Sequence, residues 1–207
     1  MKTETISGIL RSQRILDLKK EAFRKTIHLC AAFIPWLLSK TYVITLWLLI
    51  ICLSLYCVFE LLRLDGKRVP VISDITAAAA RKRDENKFVL GPVTLVLGIV
   101  TSAIIWNQIP AAVGIYALGL GDGLASLVGK LFGRICVPFT EGKTVAGSAA
   151  CFFAVLISSY LVLHSAIFAV IMAFFAMLIE ILPLKDFDNL LIPVIIGGFT
   201  QLLLFLN

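Results

Sequence analysis

Asp122 carries the highest chemical cost of any residue in this sequence. It lies in an otherwise apolar run, Leu118-Gly119-Leu120-Gly121-Asp122-Gly123-Leu124-Ala125-Ser126. An ionisable group inside hydrocarbon costs several kcal/mol and marks a functional site by default. The flanking Gly121 and Gly123 weaken a helix and let other groups approach its backbone. Asp122, Ser126, Gly129 and Gly133 fall at i, i+4, i+7 and i+11, so one helix face is small and polar. Two readings follow: a site for a metal ion or phosphate, or a helix-packing face with Asp122 paired to a lysine.

Further along stand Arg134 and the run Glu141-Gly142-Lys143-Thr144. Lys143 and Thr144 precede an apolar segment, where a helix N-terminus would present free N–H groups and positive charge to phosphate. This is not a P-loop, because Val137 stands where that motif needs its first glycine. Thr144 also suits a plain N-cap role. Upstream, Glu21, Arg24 and His28 share one helical stripe with Lys25 beside it. Glu60 and Glu180 each end an apolar run. Asp186, Asp188 and Asn189 precede the final one. Such oxygen-rich groups suit Mg²⁺, which takes one or two carboxylates and completes its shell with phosphate oxygens. Asp122, Asp188 and Glu180 are therefore the candidate metal ligands.

The elements that must position these groups are transmembrane helices. Of 207 residues, 59% are hydrophobic and 15% charged, and the mean hydropathy is +0.97. The sequence predicts an all-α polytopic bundle of about seven spans: 27–38, 43–62, 89–106, 111–132, 145–163, 165–182 and 190–206. The first is short and reads as re-entrant or as the continuation of a preceding helix. With the N-terminus in the cytoplasm, every Lys and Arg except Lys40 falls on the inner side. This places the C-terminus outside. It also explains the net charge of +6 without nucleic acid. Residues 1–26 read as a cytoplasmic, interfacial segment with an amphipathic stretch at 15–25, and 27–207 as the catalytic membrane domain. A second helix is predicted over 73–87. No cleavable leader is expected, because the first 25 residues are polar and basic. The five cysteines form no CxxC pair and read as small buried hydrophobes.

In this arrangement His28, Glu60, Asp122, Lys143, Glu180 and Asp188 all lie toward the cytoplasmic leaflet. Groups suited to metal and groups suited to phosphate meet at the depth of lipid head groups. That geometry suits phosphoryl or nucleotidyl transfer to a lipid.

Five blocks resemble the polyprenol kinases, the family of phytol kinase, dolichol kinase and the CTP-dependent diacylglycerol kinase of fungi. They are Glu21-x-x-Arg24-Lys25-x-x-His28, Gly91-Pro92-Val93-Thr94-Leu95-x-Leu97-Gly98, Gly121-Asp122-Gly123-Leu124-Ala125-x-x-x-Gly129-x-x-Phe132-Gly133, Lys143-Thr144-x-x-Gly147-Ser148 and Glu180-x-x-Pro183-x-x-x-x-Asp188-Asn189-x-x-x-Pro193. The Gly-Asp and Lys-Thr blocks are shared with phosphatidate cytidylyltransferases. Val145-Ala146 departs from the family, which often has an acidic residue there; that role is either unfilled or supplied by Glu141. The resemblance implies CTP as phosphate donor, Mg²⁺ as cofactor and a membrane lipid alcohol as acceptor.

The expected enzyme is thus a CTP-dependent lipid-alcohol kinase in a bacterial-type inner membrane or its equivalent, with its site facing the cytoplasm. Asp122, Lys143 and His28 are the catalytic candidates. Arg24, Lys25, Gly121, Gly123, Ser126, Gly129, Arg134 and Thr144 are the nucleotide- and phosphate-binding candidates. The general base is His28 or a carboxylate. The rivals are a phosphatidate cytidylyltransferase and a non-enzymatic transporter, since a broken helix around a buried Asp also occurs in transporters. The acceptor lipid and the oligomeric state, including a homo-oligomer, stay open.

Overall fold

The computed structural model describes residues 18–67, 87–138, 140 and 142–206. The stretch predicted as a helix over 73–87 therefore lies almost wholly outside the described residues, as does Glu141. Helix α1 covers residues 18–31 and joins the described part of the amphipathic stretch, from residue 18 on, to the start of the first predicted span. It breaks at Ala32 and Phe33, whose amides bond back to Leu29 and Cys30 at 3.1 and 3.0 Å. Pro35 lies at the start of α2 (Ile34–Lys40) and favours a new helix over continuation of the old one. The predicted short span is thus two helices with a turn between them.

Helix α3 (Tyr42–Leu64) is 23 residues long and buries only Thr45 and Glu60. Its apolar residues face outward, as a lipid-facing helix requires. Two tyrosines tie it to the next segment: Tyr42 donates to the Ala103 carbonyl at 2.8 Å and Tyr56 to the Val89 carbonyl at 2.9 Å. Helix α4 (Gly91–Ile105) follows, with Pro92 in its first turn. Helix α5 (Gln108–Phe132) contains a π-helical segment at Ala117–Asp122. Helices α6 (Val145–Leu163) and α7 (Ala166–Ile181) pack as a hairpin, and α8 (Asp188–Leu206) closes the bundle against α4 and α5.

Among the described residues four helices are long and apolar enough to cross a membrane: α3, α5, α6 and α8. Helices α4 and α7 are apolar but have 15 and 16 residues. At 1.5 Å per residue they reach about 22–24 Å, against a hydrocarbon core of about 30 Å. The predicted boundaries are otherwise close to the observed ones.

Inside lipid the bundle is held by packing contacts rather than by exclusion of water. Val113, Ile115, Leu118, Val155, Met172 and Ile196 form the fully buried centre. Small residues let backbones meet. Pro193 lacks the amide that would bond the Asn189 carbonyl in α8. Gly98 of α4 abuts that carbonyl, and a Cβ there would collide with it. Ser102 donates to the Pro193 carbonyl at 3.2 Å, and Trp106 Nε1 donates to the Val194 carbonyl at 2.9 Å.

Candidate functional site

Gly119 decides how α1 meets α5. A Cβ there would come within 2.9 Å of the Ala32 amide nitrogen and 3.0 Å of the His28 carbonyl. Glycine lets the α1 backbone lie directly on the π segment. A π turn also rotates the side chains after it relative to a regular helix and recurs at functional sites. Asp122 is its last residue. The result is that Lys25 forms a buried ion pair with Asp122 Oδ2. His28 Nδ1 lies 3.2 Å from the same oxygen, near enough to feel its charge but without hydrogen-bond alignment. The lysine partner foreseen in the packing reading is therefore Lys25.

A second knot lies one turn away. Glu21 binds Arg24, accepts from Ser126 Oγ at 2.6 Å and pairs with Lys130 at 2.7 Å. Burial pushes the Glu21 carboxyl up, but Arg24, Lys130 and Ser126 outweigh it and hold it at about 2.

Lys143 reaches the site on a short extended loop. The Val137 amide donates to the Lys143 carbonyl at 2.8 Å, and the Val145 amide to the Ile135 carbonyl at 3.0 Å. Gly142 turns this loop at φ +84°, a conformation that favours glycine. Lys143 Nζ then pairs with Glu180 Oε1 at 2.6 Å. Burial lowers the affinity of Lys143 for its proton, but Glu180 and Asp122 reverse this and hold it above the ordinary lysine value. Thr144 caps α6, its Oγ1 accepting from the Gly147 amide at 3.2 Å.

Arg24, Lys25, Asp122, Ser126, Gly129, Lys143, Thr144, Glu180 and Asp188 line one cavity of about 310 Å³, within the size range of small-ligand sites. Four predicted residues stand outside its lining. His28 lies on an adjoining cleft. Gly121 faces Val155 and Cys151, and Gly123 faces Leu29, so both serve helix packing. Arg134 is exposed. Glu60 is fully buried elsewhere: it accepts from the Val89 amide at 2.9 Å and from Arg63 at 2.8 Å. Its role is to fasten the chain entering α4.

Sequence reasoning gave no site role to Lys130 or Lys185, which line the cavity together with Glu21 of the charged stripe and Gly147. Lys130 continues the Asp122–Ser126 row at i+8, which is the signal that could have found it. Lys185 sits at φ +57° in the loop before α8, where helical periodicity gives no guide.

Among the described residues the cavity therefore holds five cations, Arg24, Lys25, Lys130, Lys143 and Lys185, and four carboxylates, Glu21, Asp122, Glu180 and Asp188. Its residues fit a hard divalent cation on one condition. Glu180 Oε2 is buried without a hydrogen-bond partner among the described residues, and Asp122 and Glu180 offer oxygen donors to the same space. Among the described residues no three His, Cys, Asp or Glu side chains are close enough together to cage an ion. An ion held here would complete its shell with substrate oxygens, as Mg²⁺ habitually does.

No family model matches the chain, and no solved structure matches it. Curated relatives do. The chain is 27% identical over 154 residues to probable phytol kinase 1 of Glycine max, covering 64% of this chain and 50% of that protein. It is 35% identical over 71 residues to farnesol kinase of Arabidopsis thaliana, covering 33% of this chain and 23% of the relative. It is 25% identical over 137 residues to CTP-dependent diacylglycerol kinase 1 of Saccharomyces cerevisiae, covering 65% and 47%. The chain thus spans about half the length of the relatives it matches most extensively. Its likeness is to the phytol, farnesol and diacylglycerol kinases, all polyprenol or lipid kinases.

Proposed function

We propose that this protein transfers the γ-phosphoryl group of CTP to the hydroxyl of a membrane lipid alcohol. The observation that carries the reading is the single cavity in which Lys25, Lys143, Arg24, Lys130 and Lys185 face Asp122, Glu180 and Asp188 at one end of an apolar bundle. Phosphoryl transfer asks little covalent chemistry of a protein; it asks for positioned charge. The ion pairs hold these cations in place, and triphosphate oxygens can exchange with the carboxylates as their partners. Ser126, Thr144 and the start of α6 lie along the same wall.

Asp122 and Glu180 would hold Mg²⁺, which neutralises charge on the donor phosphates. Lys143 stays protonated across neutral pH and faces the developing negative charge. Lys25 holds Asp122 in place from behind, and Arg24 and Lys130 keep Glu21 ionised at the cavity wall. CTP as donor is supported by the yeast relative, whose name states that dependence. In this reading the cavity faces the cytoplasm, where nucleotides are, and α4, α7 and the α1–α2 pair complete the crossings that their lengths alone leave open.

The test is incubation of the purified protein in lipid nanodiscs with γ-labelled CTP, and separately ATP, over phytol, farnesol, a longer polyprenol, diacylglycerol and phosphatidate. Label in a lipid phosphate with release of CDP is expected. Release of pyrophosphate with phosphatidate as acceptor, and no labelled lipid, would instead establish a cytidylyltransferase.

A further inference from the structure

Of the cations on the charged cavity, four already have carboxylate partners. Lys25 pairs with Asp122, Lys143 with Glu180, and Arg24 and Lys130 both pair with Glu21. Lys185 pairs with no carboxylate among the described residues. It is exposed, and it lines both the cavity and the cleft adjoining it.

Its backbone is as unusual as its side chain. Lys185 holds the left-handed conformation at φ +57°, where a Cβ crowds the following carbonyl. His164 is the other non-glycine residue in that region among the described residues, and it ends α6, a place where left-handed residues are common. Lys185 ends no helix, since α7 stops at Ile181 and α8 starts at Asp188. It is the second residue of a turn in which the Phe187 amide donates to the Leu184 carbonyl at 3.0 Å. A positive φ at that position ordinarily selects Gly, Asn or Asp. Here a lysine stands in their place.

We propose that Lys185 is the docking cation for the phosphate chain of the donor, its ammonium donating to a non-bridging phosphate oxygen as the nucleotide enters. The proposal rests on the kinase reading above. The other four cations must share or release a carboxylate before they take a phosphate oxygen, and parting a buried pair strands a charge. Lys185 releases only water. It therefore supplies attraction for the incoming anion while the buried pairs are still closed, and its exposure makes that attraction sensitive to salt.

The experiment uses the full chain in phosphatidylcholine nanodiscs with Mg²⁺, and calorimetric titration with CTP and separately with inorganic tripolyphosphate. Lys185→Asn removes the charge and keeps a residue that accepts the left-handed backbone, so its melting temperature should equal or exceed that of the parent. It should bind both ligands roughly tenfold more weakly, the usual scale for a lost charged hydrogen bond, and the deficit should shrink as salt is raised. Lys185→Arg should restore both affinities. In turnover the loss should fall on the KM for CTP more than on kcat, as for a contact made equally in ground and transition states. The binding readouts need no turnover: absence of all phosphate transfer would remove the kinase reading and leave the anion contact standing. Unchanged tripolyphosphate affinity in Lys185→Asn, a deficit that high salt does not reduce, or failure of Lys185→Arg to restore binding would each overturn the assignment.

Discussion

Lys25 and Asp122 form an ion pair across 97 residues of sequence, with side chains only 4% and 2% exposed. A buried pair of this kind contributes little net stability, but removing one partner strands the other charge. Asp122→Asn should therefore destabilise the protein by about 3–5 kcal/mol and abolish phosphate transfer. The double variant Lys25→Met with Asp122→Leu should regain most of the lost thermal stability and none of the activity. Melting in detergent and transfer from labelled CTP measure the two separately. Recovery of activity in the double variant would reduce the pair to a structural device.

Glu21 gives a pH prediction with a definite sign. Its folded value of about 2 lies below the ordinary 4.5. The ionised form is therefore favoured by folding, and its stabilisation is present above pH 4.5 and fades as pH falls toward 2. Glu21→Gln should melt at a lower temperature than the parent at pH 7, and the gap should narrow at pH 3. An equal gap at both values would mean that the Arg24 and Lys130 pairs do not stabilise the fold.

The helical architecture and most of the cavity were legible because their signals are local. Long apolar runs fix where helices form, and an Asp inside one is conspicuous against hydrocarbon. Lys143 and Asp188 were visible as charges flanking such runs. What the sequence hid depends on three-dimensional contact. Gly121 and Gly123 flank Asp122 and look like ligand-approach glycines, yet the first meets Val155 and the second Leu29. Glu60 ends a span just as Glu180 does, but only one of the two lies on the cavity. Which carboxylate a lysine or an amide will find is set by how helices cross, and no spacing rule encodes that. The break at Ala32 was also hidden, because a residue two or three before a proline can end a helix or continue it.

Gly147 tests whether close packing of α5 on α6 shapes the cavity. A Cβ at this position would lie 2.7 Å from the Ala125 carbonyl and 3.3 Å from Gly129 Cα. Both are backbone, so the helices must separate. Gly147→Ala should cost about 1–3 kcal/mol, the usual range for overpacking. It should also weaken CTP binding, since Thr144 and Gly129 share that wall. Titration of CTP by calorimetry checks this: unchanged affinity would place the nucleotide elsewhere.

Glu60 separates structural burial from chemistry. The carboxylate is fully buried, yet it lines neither the charged cavity nor the cleft adjoining it. Its oxygens accept from the Val89 amide and from both Nε and Nη2 of Arg63, while Arg63 also donates to the Lys87 carbonyl at 2.8 Å. These bonds tie the end of α3 to the segment that enters α4, and Val89 is itself a wall of the cleft adjoining the cavity. Glu60→Ala would leave the Val89 amide and the Arg63 guanidinium without their acceptor, which costs about 1–3 kcal/mol per buried unsatisfied group and more for a charged one. The expected result is a lower melting temperature and reduced turnover, with the KM for CTP unchanged. Glu60→Gln keeps an acceptor for the amide and should lie between parent and alanine on both scales. A loss of turnover in Glu60→Gln as complete as in Asp122→Asn, at parental stability, would put Glu60 among the catalytic groups and break the separation between the two carboxylates.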